Sequence, residues 1–212
     1  MEGITIIMAI VDFIPVILFF IASVILMRDL YNKLVKGAFA LLAAGSIMVL
    51  ISGIYKASWK ILYACSICDF EALNTAFFPM QSPGFLLTFF GLCYLIKRLR
   101  KGAVLYSSTM LIPLYSSKLI FILGQILGSG GVQLTLCYLA KKMKRLAAVA
   151  LFIVSFLAML TMGYLSAKFD NSSSMHWTAQ FTNILSQGAF LLGVIDLHKH
   201  GLDKMEWVTE NA

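Results

Sequence analysis

Charged side chains are scarce in this chain. Asp, Glu, Lys and Arg make up 13% of its 212 residues, against about 25% in a typical soluble domain. Hydrophobic residues make up 60%, and the mean hydropathy is +0.87. Because a soluble domain of this length could not bury so much apolar surface, the composition excludes a soluble globular protein. We predict an all-α integral membrane protein.

Proline is also scarce, and the motifs of common enzymes are missing. Four prolines and 15 glycines among long apolar runs exclude a disordered or collagen-like chain. The sequence contains no G-x-S-x-G, no H-E-x-x-H and no glycine-rich phosphate-binding loop. We therefore assign no catalytic residue, no metal ligand and no cofactor, and we expect a binding or transport protein rather than an enzyme.

Acidic residues are scarcer than basic ones: 10 Asp and Glu oppose 17 Lys and Arg, which gives a net charge of +7. The cations cluster in short segments between apolar runs, the pattern that the positive-inside rule places at the cytoplasmic face. They are not interleaved with aromatic residues, so we expect contact with membrane lipid and not with nucleic acid. Thirteen of the 17 lie in four clusters: Arg28, Lys33 and Lys36; Lys97, Arg98, Arg100 and Lys101; Lys141, Lys142, Lys144 and Arg145; Lys199 and Lys204.

Apolar runs fill almost the whole chain, and a run of roughly 20 residues is long enough to cross a bilayer as a helix. The stretch 102–140 has a basic cluster at each end, so the charge rule requires it to cross twice, with a polar turn at 116–118. The alternative is one long broken helix here, which gives six spans and puts one basic loop on the wrong side. We predict a seven-helix bundle in the cell membrane, with the N-terminus outside and the C-terminus in the cytoplasm. The predicted spans are Ile4–Met27, Gly37–Ala64, Leu73–Ile96, Ala103–Tyr115, Leu119–Ala140, Leu146–Ala167 and Trp177–Leu197.

The third and seventh predicted spans share short motifs that suggest an internal repeat. Thr75-Ala76-x-Phe78 recurs as Thr178-Ala179-x-Phe181, and Phe85-Leu86-Leu87 recurs as Phe190-Leu191-Leu192. Chance similarity between apolar helices is the alternative explanation.

A true repeat predicts two parallel three-helix units, 1–101 and 119–212, joined by a linker helix at 102–118. The second unit would include a short cytoplasmic tail. In architecture alone, this plan resembles the SWEET sugar transporters, the PQ-loop transporters and the KDEL receptors. The Pro-Gln pair that names the PQ-loop group is absent, so no residue is assigned a role from this resemblance.

Ionisable residues within the predicted spans point most directly to a site, because a charge at that depth costs several kcal/mol unless it is paired or faces water. Asp12 and Lys56 fall at similar depth in adjacent antiparallel spans, so we expect them to form a pair. A static ion pair between two helices is the alternative to a functional one. Lys60, one turn further along, is expected among lipid headgroups or beside Asp69 or Glu71.

Neighbouring aromatic and amide side chains complete the predicted site. Trp59 is either an anchor at the membrane interface or a surface on which a ring-shaped ligand stacks. Gln81 and Gln187 occupy near-equivalent positions of the proposed repeat, and amides supply both donors and acceptors to a polar solute. Hydrogen bonding between packed helices is the alternative. We predict that a small polar solute is bound, and moved by alternating access, at Asp12, Lys56, Trp59, Gln81, Asn183 and Gln187.

Three other functions stay open. The same pocket would serve a ligand receptor or sensor. The Cys65-Ser66-Ile67-Cys68 motif would suit a membrane thiol oxidoreductase that uses a quinone as its cofactor, although a structural or incidental cysteine pair is the alternative. The chain would otherwise be a non-catalytic subunit of a larger complex, and self-association is also open.

Overall fold

The computed structural model describes residues 5–99, 118–167 and 173–205. Within these ranges the regular structure is entirely α-helical and contains no strand, which confirms the all-α class. The helices are α1 (Ile6–Val11), α2 (Phe13–Leu30), α3 (Lys36–Ala64), α4 (Glu71–Thr75), α5 (Phe77–Leu99), α6 (Lys118–Lys142), α7 (Leu146–Ala167) and α8 (Ser173–Lys199).

Two of the helix breaks come three residues before a proline. α1 gives way to α2 at Asp12, ahead of Pro15, and α4 gives way to α5 at Ala76, ahead of Pro79. Proline has no N–H, so the carbonyl four residues earlier loses its helical hydrogen bond and the ring crowds it. Each pair of helices therefore acts as one long helix with a local break.

Among the described residues, five helices are long and apolar enough to cross a membrane, which agrees with an integral membrane protein. α8 covers the predicted seventh span, but it carries too many polar side chains to qualify by composition. The predicted fourth span, Ala103–Tyr115, lies outside the described residues. The count of seven therefore stays a prediction. The five helices are Ile6–Leu30, Lys36–Ala64, Glu71–Leu95, Ile120–Lys142 and Leu146–Leu165.

The six long helices pack in a closed ring that follows the order of the chain. α2 packs against α3, and the ring continues through α5, α6, α7 and α8 before α8 returns to α2. α5 and α6 run parallel, because Gly124 lies against Ser82 while Gly131 lies against Phe89. The end of α5 and the start of α6 therefore lie at opposite ends of the ring.

An apolar core fills the end of the ring at which α2 ends and α3 begins, and we call this the sealed end. Each long helix contributes fully buried side chains to it, and close packing of this kind leaves few voids as large as a water molecule. The basic clusters that flank α2, α3, α6 and α7 lie at the same end. The core includes Leu30, Leu42, Leu92, Leu95, Leu136, Leu139, Phe152, Val194 and Leu197.

A histidine–carboxylate hydrogen bond and an ion pair hold α8 in place at the sealed end. His198 lies 2.9 Å from the carboxylate of Asp29 on α2, and the side chain of Asp29 is only 2% exposed. Arg145, which precedes α7, donates two hydrogen bonds of 2.8 and 3.1 Å to Asp196, and these bonds raise the pKa of Arg145. α8 is thus tied to α2 on one side and to α7 on the other.

Candidate functional site

A cavity of about 440 Å³ occupies the half of the ring opposite the sealed end, and we call this half the cavity end. Its lining comes from all six long helices. The volume falls within the range of small-molecule sites, roughly 300–1,000 Å³. All six residues predicted to bind the solute line the cavity: Asp12, Lys56, Trp59, Gln81, Asn183 and Gln187.

A polar stripe on α8 explains why the ring encloses a polar space. His176, Gln180, Asn183 and Gln187 all line the cavity, and their spacing of four, three and four residues places them on one helix face. The sequence analysis missed Gln180 and gave His176 no role in solute binding. The helical spacing of the stripe is the signal that could have found both.

Asp12 forms its ion pair with Lys60, not with Lys56. The two charged atoms, Lys60 Nζ and Asp12 Oδ2, lie 2.8 Å apart, and the side chains are 11% and 9% exposed. The expected Asp12–Lys56 pair was therefore wrong, as was the expectation of Lys60 among headgroups or beside an acidic loop residue. Because both partners are buried and paired, this ion pair connects the break between α1 and α2 to α3.

Lys56 faces aromatic rings instead of a carboxylate. Its Nζ lies 4.2 Å from the centre of the Phe77 ring and 5.9 Å from that of Phe78. Both distances are within the range of a cation–π interaction, which is weaker than a buried ion pair. The half-buried Lys56 side chain lines the cavity one helical turn from Lys60, so its ammonium group presents a positive charge to the cavity.

Trp59 is buried against a loop and does not project into lipid. It is 4% exposed, its indole N–H donates a 2.9 Å hydrogen bond to Asp69, and its ring lies 5.8 Å from that of Tyr63. The interface-anchor alternative for Trp59 therefore does not hold. The side chain lines the cavity and fixes the loop after α3 at the same time.

The amide side chains divide into two groups. Gln133 donates a 2.8 Å hydrogen bond to the Ser155 hydroxyl, and Ser186 donates a 2.9 Å bond to the Ser155 carbonyl, so this group ties α6, α7 and α8 together. Gln81 and Gln125 line the cavity, and their buried side-chain oxygens have no hydrogen-bond partner among the described residues. Helix packing explains the first group. The side-chain oxygen of Gln133 likewise has no partner among the described residues, but Gln81 and Gln125 offer this hydrogen-bonding capacity to the cavity.

Three phenylalanines form a floor between the cavity and the sealed end. The ring of Phe19 on α2 lies 6.1 Å from that of Phe85 on α5 and 6.1 Å from that of Phe190 on α8. All three belong to the apolar core, and Phe19 and Phe85 also line the cavity. Phe85 and Phe190 are aligned with one another in the proposed repeat. The two copies of the Phe-Leu-Leu motif therefore each place a phenylalanine against the Phe19 ring.

The cysteines lie away from the cavity. Cys65 and Cys68 are exposed free thiols in the loop after α3, and Cys93 and Cys137 are half-buried free thiols on α5 and α6. The residues that line the cavity include none of them. Within the described ranges, no group of three His, Cys, Asp or Glu side chains is placed to hold a metal ion.

No protein-family model, curated protein or solved structure matches this chain. The function is therefore inferred from the cavity and the ring that encloses it. Their combination is specific: a one-ended cavity with a buried ion pair, a lysine with no carboxylate partner among the described residues, and several amides, inside helices of membrane-spanning length.

Proposed function

We propose that this protein binds a small polar solute in the ring cavity and carries it across the membrane by alternating access. The observation that carries the proposal is the position of the cavity. It is lined by residues from every long helix, with polar side chains from α3, α5, α6 and α8 and from Asp12 before α2, and an apolar core and an aromatic floor close it at the sealed end. A transporter at rest in one of its two access states has this geometry.

Two three-helix units would be the moving parts of this transporter. α2, α3 and α5 form the first unit, and α6, α7 and α8 form the second. The units meet where α5 packs against α6 and where α8 packs against α2. Both of these contacts between units are parallel, since Gln180 contacts Met8 while His198 contacts Asp29. Parallel repeats with a shared central site are a known transporter plan.

The parallel course of α5 and α6 also supports the 3+1+3 organisation. The end of α5 and the start of α6 lie at opposite ends of the ring, as a linker helix at 102–118 between the two units requires. A linker span in this segment would make seven in total. With seven spans, the sealed end and its basic clusters would face the cytoplasm, in accordance with the positive-inside rule.

Thiol labelling from each side of the membrane tests alternating access without knowledge of the solute. The four native cysteines are first replaced by serine or alanine. Met159→Cys then reports on the cavity, and Leu139→Cys, fully buried at the sealed end, reports on the opposite opening. We expect a membrane-impermeant reagent to label Met159→Cys from the cavity side and Leu139→Cys, more slowly, from the other side.

A receptor or a rigid subunit gives a different result. Labelling of Leu139→Cys from neither side, with the same result for the second reporter Leu95→Cys on α5, would contradict transport. Thermal unfolding of each variant checks that the ring is intact. If the protein oxidises thiols with a quinone and Cys65→Ser alone abolishes that turnover, the result would instead support the thiol oxidoreductase.

A further inference from the structure

The described lining of the cavity holds one more lysine than it holds carboxylates. Asp12, Lys56 and Lys60 are the Asp, Glu, Lys and Arg side chains in the described lining. Asp12 and Lys60 neutralise one another at 2.8 Å, so Lys56 remains. His176 also lines the cavity and adds no negative charge in either protonation state. A charge removed from water is costly unless it gains a partner, and this cavity leaves room for one.

We infer that the solute is an organic monocarboxylate, whose carboxylate binds Lys56 and whose apolar part lies against the aromatic wall; this rests on the solute-binding function proposed above. The Lys56 ammonium group has ring faces on one side, 4.2 Å from the centre of Phe77. The group also lines the cavity, where an anion can approach it. A carboxylate there would complete a charge-assisted hydrogen bond, one of the stronger polar contacts in proteins.

The apolar part of the lining favours an organic anion over an inorganic one. Phe77, Phe78 and Phe85 on α5 and Met159 and Met162 on α7 face the cavity from two sides. Phosphate or sulfate would leave these side chains against water, whereas an aromatic or aliphatic body would bury them. The amides of Gln81, Asn183 and Gln187 remain available for hydroxyl or amino substituents on that body.

Three probes of similar size test the charge directly: phenylacetate, its neutral isostere phenylacetamide and the cationic phenethylamine. The full-length protein is purified in detergent, and the affinity is obtained from the rise in unfolding temperature with ligand concentration. We expect phenylacetate to bind about 10- to 100-fold more tightly than phenylacetamide, the usual range for one hydrogen bond to a charged group. Phenethylamine and inorganic phosphate should bind more weakly than phenylacetate.

Matched variants assign the preference to Lys56. Lys56→Gln should remove the advantage of phenylacetate over phenylacetamide, Lys56→Arg should retain most of it, and Lys36→Gln should leave it unchanged, because Lys36 is exposed at the sealed end. Equal affinity for the three probes, no binding of phenylacetate, phosphate binding as tightly as phenylacetate, or an unchanged preference in Lys56→Gln would each overturn the inference.

The failure of this inference is distinguishable from the failure of the transport proposal. Binding of phenylacetamide in place of phenylacetate would overturn the carboxylate class and leave a solute cavity in place. Binding of phenylacetate by a protein whose Leu139→Cys and Leu95→Cys reporters stay unlabelled would retain the carboxylate class and overturn transport.

Discussion

Asp12 illustrates how a helix break positions a charged side chain. It lies between α1 and α2, three residues before Pro15, where the helix has lost a backbone hydrogen bond. On the neighbouring helix, Lys60 reaches it at 2.8 Å. A carboxylate and an ammonium group in a poorly solvated place stabilise the fold only as a pair, because either one alone would be an uncompensated buried charge.

Removal of one partner of this pair should therefore destabilise the fold more than removal of both. We expect Asp12→Asn to lower the free energy of unfolding by about 3–5 kcal/mol, and the double variant Asp12→Leu with Lys60→Met to recover most of that loss. Denaturant unfolding in detergent micelles measures both. Equal stability of Asp12→Asn and the unmodified protein would show that Lys60 does not depend on Asp12.

Close packing between α5 and α6 depends on glycine. Gly124, Gly128 and Gly131 recur at helical spacing on the face of α6 that meets α5. A Cβ added at Gly128 would lie 2.6 Å from the backbone nitrogen of Leu86, and one added at Gly124 would lie 2.4 Å from the Ser82 hydroxyl. A neighbouring backbone atom cannot rotate away as a side chain can, so the two helices would have to separate.

Alanine substitution at a tightly packed glycine and at an open glycine should have different effects on stability. Gly128→Ala should lower the free energy of unfolding by about 1–3 kcal/mol, the usual cost of overpacking a tight contact. At Gly188 on α8 an added Cβ meets nothing within 4 Å, so Gly188→Ala should be neutral or stabilising by up to about 1 kcal/mol. Thermal unfolding distinguishes them. Equal effects would mean that the α5–α6 contact is not tight.

A histidine–carboxylate hydrogen bond joins the two proposed units at the sealed end. His198 on α8 lies 2.9 Å from Asp29 on α2, and Arg28 lies 2.9 Å from the other ring nitrogen of His198. By contrast, the pair of Arg145 and Asp196 lies within the second unit. If the units rock against one another, opening of the sealed end has to break the first pair and not the second.

Asp29→Asn should therefore shift the ring toward opening at the sealed end. We expect labelling of Leu139→Cys from that side to become roughly five- to tenfold faster, equivalent to about 1–1.4 kcal/mol. The matched control, Arg145→Gln, should leave the labelling rate unchanged. Faster labelling in both variants would indicate general loosening rather than a contact between units.

The composition and the helical spacing of the sequence were enough to identify an all-α protein with membrane-spanning helices and to select side chains that line one cavity. Hydropathy and periodicity are properties of each segment alone, so they can be read from the sequence without knowing which segments pack together. The polar face of α8 belongs to this group as well, since the spacing of His176, Gln180, Asn183 and Gln187 is visible in the printed sequence.

Only the tertiary packing of the ring determined which lysine pairs with Asp12. Counting along the predicted spans paired Asp12 with Lys56, yet Lys60 lies one turn nearer the end of α3, about 6 Å along the helix axis, and it is Lys60 that reaches Asp12. A difference of one turn depends on where each helix starts, how it tilts and how it packs against its neighbours. These are properties of contacts between segments distant in sequence. They leave Lys56 facing the cavity, with its charge available to a solute.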